Sequence, residues 1–180
     1  AAIRYQLVKQ LEKWAQPVHE EISQQKEQLQ LQYVSQLTIN EESTVADLKE
    51  QLQARLREKV DKEIAAGTTL AGPQRDDLHF LVNGNNVQQF GSQGQQRTTA
   101  LAVKLAEIDL MQEQTGEYPL LLLDDVLSEL DNDRQTHLLT AIQDKVQTFL
   151  TTTSLSGVAR QLIKTPTIYT IQAGHLQREG

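Results

Sequence analysis

Leu120-Leu121-Leu122-Leu123-Asp124-Asp125 decides the fold class. A short apolar run without polar alternation is the pattern of a strand covered on both faces, as strands of parallel sheets are. Gly116 and Pro119 close the element before it and set the run apart. It carries two carboxylates to the carboxyl edge of a sheet, where open α/β folds bind ligands. Adjacent carboxylates repel, and burying them is costly. A divalent cation removes that cost, and Mg²⁺ takes one or two carboxylates together with phosphate oxygens and water. This is the shape of a Walker B element. Asp124 would help hold Mg²⁺, and Asp125 would polarise or deprotonate an attacking water. The plainer reading is a strand end whose aspartates cap the next helix.

Working outward, Asp131-Asn132-Asp133 caps a helix with Leu138, Leu139 and Ile142 on one side. Val146 to Thr151 is the next strand, and Thr167 to Gln172 a last one that ends in the turn Ala173-Gly174. Upstream, Leu101, Leu105 and Ile108 mark one face of a long helix entered from Gly91-Ser92-Gln93-Gly94-Gln95. Ser92 is placed as its N-cap. Such a helix start offers backbone N–H groups and the positive end of a dipole, which suits a phosphate. Gly and Ser are equally the standard residues of an ordinary turn into a helix. Strands alternating with helices read as α/β with parallel strands.

The first third is rich in Gln, Glu, Lys and Leu. Ile3, Leu7, Leu11 and Trp14 recur at helical spacing, and Pro17 is expected to interrupt or restart that helix. A second helical stretch is expected near Val18 to Gln28, then a strand over Leu29 to Val34. Ser43 or Thr44 caps a helix with Val45, Leu48, Leu52, Leu56 and Val60 on one stripe, and Gly67 stops it. Leu78 to Val82 reads as a strand, Asn83-Gly84 as a hairpin turn and Val87 to Phe90 as the returning strand.

The 180 residues carry a net charge of −7, 4% aromatic residues and no cysteine. The absent cysteines exclude a disulfide framework, a thiolate zinc site and a Cys nucleophile. The acidic balance argues against a simple DNA-binding module, and the few aromatics against a base-stacking platform. Arg55, Arg57, Lys59 and Lys62 form the densest cationic stretch, but Glu58, Asp61 and Glu63 interleave it into a solvated face. His79, His137 and His175 show no metal-ligand spacing.

Taken together, Gly72-Pro73-Gln74-Arg75-Asp76-Asp77-Leu78, Asn83-Gly84, Phe90-Gly91-Ser92-Gln93-Gly94-Gln95-Gln96-Arg97-Thr98, the string Leu121 to Asp131 and Gln147 to Thr153 resemble the C-terminal half of the RecF family. These are bacterial recombination mediators with ABC/SMC-like heads. The resemblance runs along essentially the whole chain. It implies a fold class of α/β: the C-terminal part of an ABC-type ATPase head plus a helix-rich lobe. Residues 1–90 would be the helical lobe with its hairpin, and 91–180 the signature helix, Walker B and the rest of the head.

The resemblance also implies roles. Such heads dimerise around ATP, and Ser92, Gln93, Gly94 and Gln95 would meet, in trans, the nucleotide held by the partner. Asp124 would serve Mg²⁺, Asp125 the water, Ser128 and Asp131 the D-loop, and Thr152 the switch position. The implied cofactors are ATP and Mg²⁺. The implied partners are single- and double-stranded DNA at gaps and junctions, with RecO and RecR, to load RecA in the bacterial cytoplasm. Asp125 stands where a longer Glu is common, which implies slow hydrolysis. The switch segment lacks His, and Gln74 replaces a frequent His. No Gly-x-x-x-x-Gly-Lys-Ser/Thr loop occurs in the 180 residues. The chain is therefore expected to be a fragment that does not turn over ATP alone and that exposes an apolar sheet edge. Two other readings stand beside this one. Another SMC- or Rad50-like head would need long heptad arms, and none occurs. The other is a non-catalytic module that binds a protein partner.

Overall fold

The structure is a computed structural model and describes residues 1–154 and 157–178. It divides into two compact units, Ala1–Glu117 and the residues from Tyr118 onward.

The N-terminal unit is built on two long helices and a small antiparallel sheet. Helix α1 spans Ala2–Ile22 and packs against β1, Leu29–Val34, and against α4, Gln93–Thr115. Val8, Leu11, Ala15 and His19 form its buried stripe. Val8, Leu11 and Ala15 meet Leu29 and Leu31 of β1, Val82, and Val103, Ala106 and Leu110 of α4 in one core. Pro17 lies inside α1 and does not interrupt it. Proline removes one N–H from the helical ladder, and the packed stripe on either side outweighs that loss. The helix ends at Ile22, so the expected helical stretch to Gln28 is instead a turn in which Gln24 and Gln25 take positive φ.

Helix α2, Val45–Ala66, follows the sequence expectation at both ends. Thr44 caps it in a box with Asp47, whose carboxyl those bonds hold below its usual range. Gly67 closes it in the left-handed region at φ 62. Only Leu48 of its stripe is buried, and Val45, Leu56 and Val60 are exposed. Strand β2, Asp77–Val82, pairs antiparallel with β1, with Leu31 opposite Phe80. Asn83 and Gly84 make the turn with positive φ at both positions. The return strand β3 is only Asn85–Asn86. Val87–Phe90, expected as a strand, is the short helix α3, because the Asn86 side chain accepts from the Gln88 N–H and caps a helical turn.

In the C-terminal unit, β4, Leu121–Asp124, and β5, Thr148–Thr151, pair in parallel, with Leu122 opposite Phe149 and Asp124 opposite Thr151. The fold is thus α/β with a parallel pair. Helix α5, Asn132–Ile142, packs against α6, Gly157–Leu162. Strands β6, Tyr169–Gln172, and β7, His175–Arg178, form a separate hairpin, and β7 had no counterpart in the sequence reading. The run 120–123 is not covered on both faces. Leu122 is 74% exposed and Phe149 55% exposed, because a two-stranded sheet with one covered face buries only alternate positions. The sequence division at residue 90 differs from the compactness boundary after Glu117. Helix α4 packs along α1, so it goes with the first unit.

Candidate functional site

Ser92 starts α4 because its hydroxyl accepts the Gln95 N–H at 3.2 Å while Gln95 Oε1 accepts the Ser92 N–H at 3.0 Å. This reciprocal capping box satisfies two donors at the helix start. Gln93 and Gly94 occupy the first two helical positions. The turn leading in is tight: a Cβ on Gly91 would sit 2.6 Å from the Val87 carbonyl oxygen. Gln96 Nε2 donates to the carbonyls of Val87 and Gly91 and holds α3 to the start of α4. The Ser92 hydroxyl, while accepting from Gln95, keeps its own proton to donate, and an amide NH₂ carries two hydrogens. With the dipole of a 23-residue helix behind them, these groups suit an anion.

Gln95 Nε2 also donates to Glu27 Oε1 at 2.9 Å, across 68 positions of sequence. Beside Glu27, His19 is fully buried, with Nε2 at 3.4 Å from Thr99 Oγ1 and 3.9 Å from Glu27 Oε2. Burial holds the His19 pKa below its ordinary value, against the pull of the Glu27 and Glu20 carboxylates. The Gly72–Asp77 segment is structural in its contacts. Asp76 accepts from Tyr33 and from Ser35, and burial with that bond pushes the Tyr33 phenol up to about 12.

In the other unit, the register of β4 and β5 sets Asp124 beside Thr151 at the carboxyl end of the pair. Thr151 Oγ1 donates to Asp124 Oδ1 at 2.5 Å, and the Asp125 N–H lies 3.1 Å from both Thr151 oxygens. Asp125 adopts φ 50, a left-handed conformation that costs a non-glycine residue energy and is found at functional turns. Its Oδ2 lies 2.9 Å from the Ser128 hydroxyl. Asp131 caps α5 by accepting the Arg134 N–H at 2.9 Å, and its carboxylate also pairs with the Arg134 side chain. Thr152 turns into its own loop, where its hydroxyl donates to the Ser154 carbonyl. Glu27 and His19 are the residues sequence reasoning passed over, and Thr151 lies in the expected switch segment beside Thr152. The parallel register singles out Thr151, and the i, i+3, i+4 stripe of α1 points to His19.

Asp124 and Asp125 are exposed, and among the described residues no group of three or more His, Cys, Asp or Glu gathers to hold a metal. One or two open carboxylates beside a hydroxyl fit Mg²⁺ completed by phosphate oxygens and water, and not an all-protein cage.

Helices on a parallel pair that ends in Asp-Asp, with a capped turn opening a long helix, match the fold of ABC/SMC-type heads. The fold is shared with the head of an SMC protein solved with the C-winged helix domain of ScpA, at 14% identity and a TM-score of 0.56 over 97% of this chain and 43% of that one. The particular protein it resembles is RecF. A solved structure described as the recombination mediator protein RecF-ATP in the RecFOR pathway matches with a TM-score of 0.84 and 32% identity, covering 99% of this chain and 46% of that one. Among curated proteins, the DNA replication and repair protein RecF of Limosilactobacillus fermentum is 71% identical over 176 residues, 98% of this chain and 47% of its own length. That of Geobacillus thermodenitrificans is 53% identical over 171 residues, 95% of this chain and 46% of its own length. The chain is a relative of RecF along nearly its whole length, and it spans about half the length of the curated relatives it matches. No family model matches the chain.

Proposed function

We propose that these residues are the signature-helix and Walker B part of an ATP-dependent DNA-binding protein of recombinational repair and replication-fork maintenance. In the intact protein, two copies close around ATP and act with RecO and RecR to load RecA on gapped DNA in the bacterial cytoplasm. Among the described residues no helix is long and apolar enough to cross a membrane.

What supports this reading most is the β4–β5 register, which sets Asp124, Asp125 and Thr151 at one carboxyl edge. Asp124 would hold Mg²⁺, with the Thr151 hydroxyl fixing its carboxylate. Bound Mg²⁺ supplies charge to neutralise phosphate oxygens. Asp125 would accept a proton from water, and its shorter reach than Glu favours slow turnover, which DNA would stimulate in the intact protein. The Ser92 hydroxyl and the amides of Gln93, Gly94 and Gln95 would donate to the terminal phosphate of the partner's nucleotide. Ser128 and Asp131 would border the same interface. Thr152 is the proposed switch position, and Thr151 beside it is the hydroxyl in contact with Asp124.

The 180 residues alone lack a phosphate-cradling Gly-x-x-x-x-Gly-Lys-Ser/Thr loop and are expected to show no ATP turnover. The test is phosphate release by the purified chain and by the intact protein. Turnover by the intact protein that is lost in Asp125→Ala supports the assignment. Turnover by the 180 residues that Asp125→Ala abolishes contradicts it.

A further inference from the structure

The signature turn is gripped from outside its own motif. Glu27 lies in the connection between α1 and β1, and that connection is itself pinned. Gln28 N–H donates to Asn83 Oδ1 at 2.9 Å and Asn83 N–H returns to the Gln28 carbonyl at 3.0 Å. The Ser23 hydroxyl sits 3.2 Å from the Glu20 carbonyl and 3.5 Å from that of Glu27. From this fixed point Glu27 Oε1 receives Gln95 Nε2 at 2.9 Å, while Gln95 Oε1 receives the Ser92 N–H at 3.0 Å.

A side-chain amide engaged at both ends has one allowed orientation. Turned over, it would set NH₂ against the Ser92 N–H and its oxygen against the Glu27 carboxylate, and both contacts repel. Glu27 therefore decides which end of Gln95 faces Ser92 and where the second Nε2 hydrogen points. His19 backs Glu27 from the core, with no exposed surface of its own. A carboxylate has the wrong charge to bind an anion, so Glu27 acts on Gln95 and not on the phosphate.

We infer that Glu27 is a positioning residue for the α4 N-terminus: it locks Gln95 so that the Ser92 hydroxyl and the outer Gln95 N–H are set for the phosphate of a nucleotide held by a second copy. This rests on the function proposed above. The test uses the intact protein and three readouts: affinity of the monomer for a fluorescent ATP analogue, ATP-dependent dimerisation by sedimentation, and turnover. Glu27→Ala should weaken dimerisation and lower turnover about tenfold, the worth of one hydrogen bond to a charged acceptor. Monomer nucleotide affinity should stay within about twofold on the same argument. Glu27→Gln keeps an acceptor oxygen at the same reach and should recover most of the loss. Glu27→Asp keeps the charge but is too short, and should behave as Glu27→Ala does.

Wild-type dimerisation by Glu27→Asp together with loss by Glu27→Gln overturns the inference, since charge and not the bond would then matter. Ser92→Ala and Asp124→Ala serve as controls for the underlying reading. If they impair dimerisation and no Glu27 variant does, the positioning role is wrong and the function stands. If neither control impairs it, the function itself is wrong and the inference falls with it.

Discussion

His19→Leu is expected to leave the N-terminal unit as stable at pH 7 as the native protein, or up to about 2 kcal/mol more stable. The imidazole is fully buried, and among the described residues its Nδ1 has no side-chain hydrogen-bond partner. An unsatisfied buried polar atom costs about 1–3 kcal/mol. Against this stand one long bond, Nε2 to Thr99 at 3.4 Å, and a weak interaction with the Glu27 backbone, together worth about 1 kcal/mol. Thr99 loses little, because a helical hydroxyl falls back on the carbonyl four residues earlier.

The pH dependence separates the two proteins further. Burial lowers the folded-state pKa of His19 from the ordinary 6.5, with the Glu27 and Glu20 carboxylates opposing. The unfolded chain then binds a proton that the folded one refuses. The stability in question is complete above pH 6.5 and is lost as the pH falls from there toward the folded pKa. The slope is at most about 1.4 kcal/mol per pH unit. His19→Leu should lose less stability than the native protein as the pH falls from 6.5. Urea unfolding followed by Trp14 fluorescence reads this unit alone, since Trp14 is the single tryptophan and packs on its core. A loss of more than about 2 kcal/mol at pH 7, or a native protein no weaker at the acid end of the window, refutes the reasoning.

Gly91→Ala forces a Cβ to within 2.6 Å of the Val87 carbonyl oxygen and should cost about 1–3 kcal/mol by the same fluorescence assay. Thr151→Val is isosteric but removes the hydroxyl on Asp124. ATP-dependent dimerisation of the intact protein should fall both in Thr151→Val and in Thr152→Val, the proposed switch position, and an unchanged Thr151→Val would show that its hydroxyl does not fix Asp124. Leu122 and Phe149 face solvent side by side, so Leu122→Thr with Phe149→Thr should reduce self-association of the 180-residue chain in sedimentation. Threonine suits a strand, so thermal stability should change little.

Much of the fold is written in local signals. Thr44 and Gly67 bound α2, Asn83-Gly84 turns the hairpin, and Ser92 opens α4, because each acts through bonds within a few residues. The misreadings have a different origin. Pro17 is a helix breaker by local rules, yet α1 runs through it because Val8, Leu11, Ala15 and His19 pack on both sides. Val87 to Phe90 follows a hairpin turn and so reads as its returning strand, but β3 pairs for only two residues before the Asn86 cap takes over. Strand β7 is exposed throughout, so no burial pattern marks it. In the candidate site, Ser92, Asp124 and Asp125 are legible from type and spacing. Thr151 emerges only from the register, and Glu27 only from a contact 68 positions long.

The central claim is that Asp124 and its neighbours serve a nucleotide shared between two copies. Sedimentation of the intact protein with Mg²⁺ and ATP, native against Asp124→Ala, tests it most directly. The account predicts a dimer for the native protein with ATP, monomers with ADP, and monomers for Asp124→Ala with either. A dimer of Asp124→Ala with ATP as tight as the native one would contradict it.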